Sequence, residues 1–157
     1  MKSRNIAWWC CFLPLALIMQ LFVPGVDMLI VGLIIMLQER NYKGLLWLLP
    51  LLVIVQEGIG SREFGGMVLW YVITVLLFLL GRWLFEVENL LFVFLLSACL
   101  GAAHWGLAYL LGSLQNTAFA PQLVLDESII QALVIPILWR IAYMTRKWIG
   151  MYVPAAQ

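Results

Sequence analysis

The sequence predicts an all-α integral membrane protein of six transmembrane helices, and three observations carry that fold class. Sixty-five per cent of the residues are apolar and 11% are charged, whereas soluble domains run at about half apolar and a quarter charged. The apolar residues fall in long runs separated by short polar segments. Eight of the nine cations collect on one side when those runs are read as six crossings. A chain of 157 residues has too little interior to hide this much apolar surface, so lipid must act as solvent for much of it.

Span one, 6–23, follows Lys2 and Arg4 and places Trp8 and Trp9 where indoles meet headgroups. It imitates a secretory signal. Its exit, Val23-Pro24-Gly25-Val26-Asp27, lacks a small-x-small cleavage site, which predicts a retained span. Pro14 is expected to kink it, and Pro24-Gly25 to turn the chain tightly.

Span two, 26–37, is short for a bilayer that needs about 20 residues. It must be buried by neighbours, tilted, or matched by local thinning. A polar loop, 38–43, leads to span three, 44–55, which contains Pro50. A re-entrant hairpin of spans two and three would leave Glu39, Arg40 and Lys43 at mid-bilayer. Each ionisable group there costs about 2.5 to 3.5 kcal/mol even on insertion scales, so both spans are expected to cross.

The stretch Gln56-Glu57-Gly58-Ile59-Gly60-Ser61-Arg62-Glu63 then breaks the apolar pattern, and Gly65-Gly66 opens span four, 67–80. Arg82, Glu86 and Glu88 form the next loop. Span five, 89–112, is the longest and holds His104. A polar loop, 113–127, precedes span six, 128–143, with Pro136 inside it. The tail carries Arg146, Lys147, Trp148 and Tyr152, a mix suited to a membrane interface. The whole of 1–157 is expected to form one transmembrane domain.

Six crossings put Lys2, Arg4, Arg40, Lys43, Arg82, Arg140, Arg146 and Lys147 on one side and leave Arg62 on the other. Short loops rich in Lys and Arg stay in the cytoplasm, so both termini are expected there. The formal net charge of +1 points to no nucleic-acid partner. Cys10, Cys11 and Cys99 lie in apolar runs, an odd number that suggests small buried residues rather than disulfides. Arg82, Trp83, Arg140, Arg146 and Trp148 read as interface anchors that set topology.

Three constellations are candidates for function. The 56–63 segment is polar, glycine-rich backbone between apolar runs, tolerated near membrane depth only where protein or water satisfies it. It reads either as an exposed turn or as a binding lip, with Glu57, Arg62 and Glu63 as ligand or partner contacts. In span five, Ser97 and Gly101, then Ala98, Ala102 and Gly106, recur at four-residue spacing, which lets helix backbones approach closely. His104 beside them is an ionisable group within a span, either a site residue or an interhelical hydrogen bonder. Ser61 and His104 would make a serine-histidine dyad, but the nucleophile-elbow motif is absent and the two sit at different depths. No His, Cys or carboxylate spacing suggests a metal, and no glycine run suggests a phosphate loop, so neither catalysis nor a cofactor is expected.

The layout of six spans with a signal-like first span, a short second span and an acidic, glycine-rich break before span four resembles the rod-shape-determining MreD family. The matching residues are Glu57-Gly58-Ile59-Gly60-Ser61 followed by Gly65-Gly66-Met67-Val68-Leu69, and the basic end of span six, Arg140 to Lys147. That family shows Asp where this chain has Glu57. The resemblance implies a non-enzymatic inner-membrane component of the bacterial elongation machinery, linking cytoskeleton to peptidoglycan synthesis through membrane partners such as MreC. It also implies a bundle similar to the S-components of energy-coupling-factor vitamin transporters. The alternative is therefore a substrate-binding uptake subunit whose pocket opens beside 56–66. The Ala-x-x-x-Ala docking signal frequent in the first span of S-components is missing, since Ala7 and Ala16 stand nine apart.

Overall fold

The computed structural model describes residues 2–23, 25–59, 65–115 and 120–150. They are all helical in architecture: α1 (Lys2–Phe22), α2 (Leu29–Gln38), α3 (Tyr42–Ile59), α4 (Gly66–Leu84), α5 (Leu90–Gln115) and α6 (Pro121–Trp148). Four of these, α1, α4, α5 and α6, are long and apolar enough to cross a membrane. Their outer faces carry large exposed apolar side chains, among them Phe22, Leu80, Leu110 and Ile137.

Every helix runs past the span the hydropathy pattern assigns to it or is shifted from it. The largest difference is α6, which begins at Pro121 rather than 128 and so makes Asp126 and Glu127 helical. Proline at the first helical position has a ring already set to helical φ and no N–H to lose, so it starts a helix ahead of the apolar run. Likewise α3 continues through Gln56, Glu57 and Gly58, and α4 takes in Arg82. Hydropathy tracks where lipid ends. Helices end where capping and turn geometry stop them.

The short α2 is the centre of the bundle. All ten of its residues, Leu29 to Gln38, are buried. At 1.5 Å per residue it is about 15 Å long, half a bilayer, yet lipid does not reach it. Burial by neighbours, one of the three ways span two had to accommodate its length, is present in the bundle. The other helices surround it: α3, α4, α6 and α1 all pack on α2, and α5 packs against α4 and α6.

Glycines set the tightest approaches. A Cβ on Gly32 of α2 would sit 2.8 Å from the Phe12 ring and 3.0 Å from Trp9, so those two aromatic rings, set nearly perpendicular to each other, close on a notch in α2. A Cβ on Gly101 of α5 would sit 2.8 Å from the Ser128 carbonyl oxygen and 3.3 Å from Ala132 Cβ. Only a residue without a side chain lets α5 and α6 meet at that distance. Gly25 turns the chain between α1 and α2 at φ +84, the left-handed region that favours glycine, and Val26 N–H closes the turn on the Val23 carbonyl at 3.4 Å.

Pro136 lies buried inside α6. It has no N–H to give the Ala132 carbonyl one turn back. Ser97 of α5 supplies the replacement: its hydroxyl reaches Ala132 O at 2.9 Å, sharing its proton with Phe94 O at 2.8 Å.

The helix ends sort by charge. At one end, Arg146 of α6 reaches Glu39 after α2 and Asn5 of α1. Arg82 of α4 donates to the Tyr42 hydroxyl of α3 at 2.9 Å, and Tyr143 of α6 donates to Glu88 before α5 at 3.3 Å. This basic end therefore gathers the start of α1 and the end of α6. At the far end, Glu57 of α3 meets Gly65 before α4, and Glu127 of α6 packs on Gly25.

Candidate functional site

Asp27 is the residue on which the helices converge. It precedes α2, where the turn at Gly25 points it back into the bundle, and it is 5% exposed. Its Oδ1 accepts the Leu29 N–H at 2.9 Å, which satisfies one of the free donors that open α2. The same oxygen accepts Gln56 Nε2 of α3 at 2.8 Å and Gln20 Nε2 of α1 at 3.3 Å. Oδ2 accepts the indole N–H of Trp70 of α4 at 3.3 Å. Donors from α1, α2, α3 and α4 thus share one carboxylate, which buried without them would cost several kcal/mol or more.

The remaining two helices join through Trp70. Its ring meets His104 of α5 edge-on, with centroids 5.5 Å apart and planes at 68°. His104 Nδ1 lies 3.1 Å from Ser128 Oγ of α6. Ser128 also donates to the Val124 carbonyl one turn back at 2.7 Å, so its hydroxyl stands between the histidine ring and its own helix. The pair ties α5 to α6.

Gln131 sits one turn beyond Ser128 on the same face of α6 and is fully buried. Among the described residues neither its Oε1 nor its Nε2 has a partner. It is the node's unfilled hydrogen-bonding capacity.

A second polar cluster closes the basic end. Gln38 at the end of α2 donates to the Val87 carbonyl and accepts the Trp139 indole N–H at 2.8 Å. Beyond it, Arg146 Nε and Nη2 grip the two Glu39 oxygens at 2.7 Å each, the forked geometry that guanidinium and carboxylate share. Nη2 also donates to Asn5 Oδ1 at 3.1 Å, and the guanidinium lies 4.6 Å over the Trp8 ring, a cation–π contact. Burial pushes the Glu39 carboxyl above its usual range, and this outweighs the pull of Arg146 in the other direction.

The residues singled out from sequence fall in different places. Glu57 is half-buried and accepts the Gly65 N–H at 2.8 Å, closing the α3–α4 connection on itself. Arg62 and Glu63, with Ser61, lie outside the described residues. The serine that His104 does meet is Ser128. In α5 the small-residue pattern divides by helix face: Ser97 and Gly101 pack against α6, as their spacing suggested. Ala98 and Ala102 instead lie on the exposed surface, and a Cβ on Gly106 would meet nothing within 4 Å. Two rows offset by one residue are about 100° apart on a helix, so they cannot face the same neighbour. Cys10, Cys11 and Cys99 are exposed on apolar helices rather than buried. Arg146, read as an interface anchor, is 2% exposed and paired, whereas Trp83 and Trp148 are 88% and 91% exposed.

Sequence reasoning missed Asp27, Gln20, Trp70 and Gln131. A signal existed for two of them: Gln20 and Gln131 are lone amides in apolar runs, and polar side chains inside spans usually have interhelical partners. Asp27 gave no such signal, because a carboxylate beside Pro-Gly reads as an ordinary turn residue.

No family model, no curated protein and no solved structure matches the chain.

Proposed function

We propose that the protein is a non-enzymatic, multi-pass scaffold of a bacterial inner membrane, of the MreD type. In this reading it binds other membrane proteins, an MreC-like partner among them, and links the shape-determining cytoskeleton to peptidoglycan synthesis. The six helices act as an S-component-like bundle, with the basic end and both termini in the cytoplasm. Eight of the nine cations belong to that side, and positive charge in short loops is retained there.

The observation that carries the reading is how the buried polar groups are spent. Asp27 takes donors from four helices. His104 pairs through Nδ1 with Ser128 across α5 and α6. Glu57 caps its own connection. Each of these groups clamps helix to helix, which suits a rigid framework that presents its outer surface to partners.

The alternative, a vitamin-uptake subunit, is favoured by one observation: the unpartnered, fully buried amide of Gln131. A small polar ligand beside the node would satisfy it.

Affinity purification from native membranes, with proteins and small molecules both identified, separates the two. The scaffold reading expects a membrane protein retained in fixed stoichiometry and no small ligand. Retention of a vitamin-sized molecule that Gln131→Ala, Glu57→Ala or Arg62→Ala releases overturns it in favour of uptake.

A further inference from the structure

Helix α1 is little buried in the bundle and touches α6 at the basic end, where the Trp8 indole N–H donates to Thr145 Oγ1 at 3.3 Å. Ala16 is its one buried side chain among the described residues, and it rests on α2 through Trp9 and Phe12. Between α1 and α6, with Met28 and Val31 of α2 as floor, runs a cleft of about 400 Å³. Its walls include Cys11 and Leu15 on one side and Leu138 and Ile141 on the other, and they are almost wholly apolar.

At its basic end the cleft reaches Trp8, Thr145 and Ile149. Thr145 also borders an open depression of about 480 Å³ lined by Met144, Lys147 and Trp148. Cations surround this mouth. Lys147 lines the depression itself. Arg4 is exposed one turn before Trp8 on α1, so the two side chains share a face. Arg146, one turn after the cleft residue Ala142, lies beneath this surface at 2% exposure and lines neither cavity. Glu39 is already held by that guanidinium, and Glu88 by the Tyr143 hydroxyl.

We infer that this cleft is a binding site for one anionic glycerophospholipid of the cytoplasmic leaflet. An acyl chain lies in the apolar cleft, and the phosphate sits at the mouth between the exposed Arg4 and Lys147. The inference rests on the chain lying in a bilayer with its basic end cytoplasmic, and not on what the protein scaffolds. Size argues against a partner helix in the cleft. A helix about 10 Å across would fill 400 Å³ with about one turn, whereas a membrane-spanning partner needs about 20 residues. A single flexible chain is narrow enough to lie along it. Charge selects the headgroup: basic pockets between helices on the cytoplasmic side hold anionic heads, and phosphate suits guanidinium.

The test is native mass spectrometry of the full chain in mild detergent. It is titrated with palmitoyl-oleoyl phosphatidylglycerol or with the phosphatidylcholine of the same chains. One phosphatidylglycerol should be retained per chain, about tenfold or more in preference to phosphatidylcholine. Arg4→Gln with Lys147→Gln should erase most of that preference, at about fivefold per cation. Cys11→Trp with Ile141→Trp, both at exposed positions on the cleft wall, should abolish retention of either lipid while the melting temperature stays that of the parent. Equal retention of the two lipids by the parent chain overturns the inference. So does a Trp-filled cleft that keeps its lipid, including the case in which it sheds a co-purifying membrane protein instead.

Discussion

The indole N–H of Trp70 donates to Asp27 Oδ2 at 3.3 Å while the edge of the same ring system meets His104. Through that one side chain the carboxylate clamping α1 to α4 is joined to the histidine clamping α5 to α6. The node is a single connected structure that all six helices contribute to, so damage at one member should be felt across the bundle.

Asp27→Asn tests the carboxylate. It keeps the size of the side chain but replaces one acceptor oxygen with a donor NH2, which then confronts donors from Gln56 or Trp70. Hydrogen bonds to a charged group are worth about 1.5 to 3 kcal/mol, so thermal unfolding in detergent should show a loss of about 2 to 4 kcal/mol. Asp27→Leu should reduce the amount of folded protein in the membrane further. An unchanged melting temperature for Asp27→Asn would show that the node does not hold the helices.

At the basic end, Arg146→Ala leaves Glu39 largely buried without its cation. Breaking a buried pair from one side costs about 3 to 5 kcal/mol. The double variant Arg146→Ala with Glu39→Gln should recover part of that loss, and a double-mutant cycle of melting temperatures measures how much.

Glu39 also gives a pH dependence. Its carboxyl titrates above the ordinary carboxylate value because burial disfavours the charge. The folded state therefore holds the proton to higher pH than the unfolded state. Stability contributed by this group is full below the unfolded value and falls as pH rises from about 4.5 through the raised folded value. The difference in melting temperature between the parent and Glu39→Gln, followed from pH 4 upward, should shift against the parent. A difference that is flat with pH would remove Glu39 as its source.

The two small-residue rows of α5 should respond oppositely to added bulk. Gly101→Ala drives a Cβ to 2.8 Å from the Ser128 backbone oxygen, and overpacking of this kind costs about 1 to 3 kcal/mol. Ala102→Leu, one residue away on the exposed face, should leave the melting temperature unchanged. Ser97→Ala should cost about 1 to 2 kcal/mol, because the Ala132 carbonyl released by Pro136 then has no donor.

Sidedness is read by single cysteines in a background without Cys10, Cys11 and Cys99. Lys147→Cys should react with an impermeant maleimide only when the cytoplasmic face is opened. Asp126→Cys, at the far end, should react in intact cells. The reverse pattern would invert the orientation.

The apolar runs of the sequence, with Lys and Arg at alternate breaks, already determined the number of helices, their order and the end that the start of α1 shares with the close of α6. Those properties are one-dimensional: each depends on how many apolar residues follow one another and where charge interrupts them. Helix ends were less legible, as α6 shows, because polar interfacial residues continue a helix that lipid no longer covers. Which helix is central, and which polar groups meet, only the tertiary structure decided. Nothing in 26–37 distinguishes a helix facing lipid from one packed by four others, since both are apolar on every side. Asp27 and Ser128 are 101 positions apart and Trp70 and His104 are 34 apart, so their meeting depends on the rotation and depth of each helix. Rotation and depth are set by where glycines 32 and 101 let backbones close in, and burial then leaves the polar groups no partners but one another.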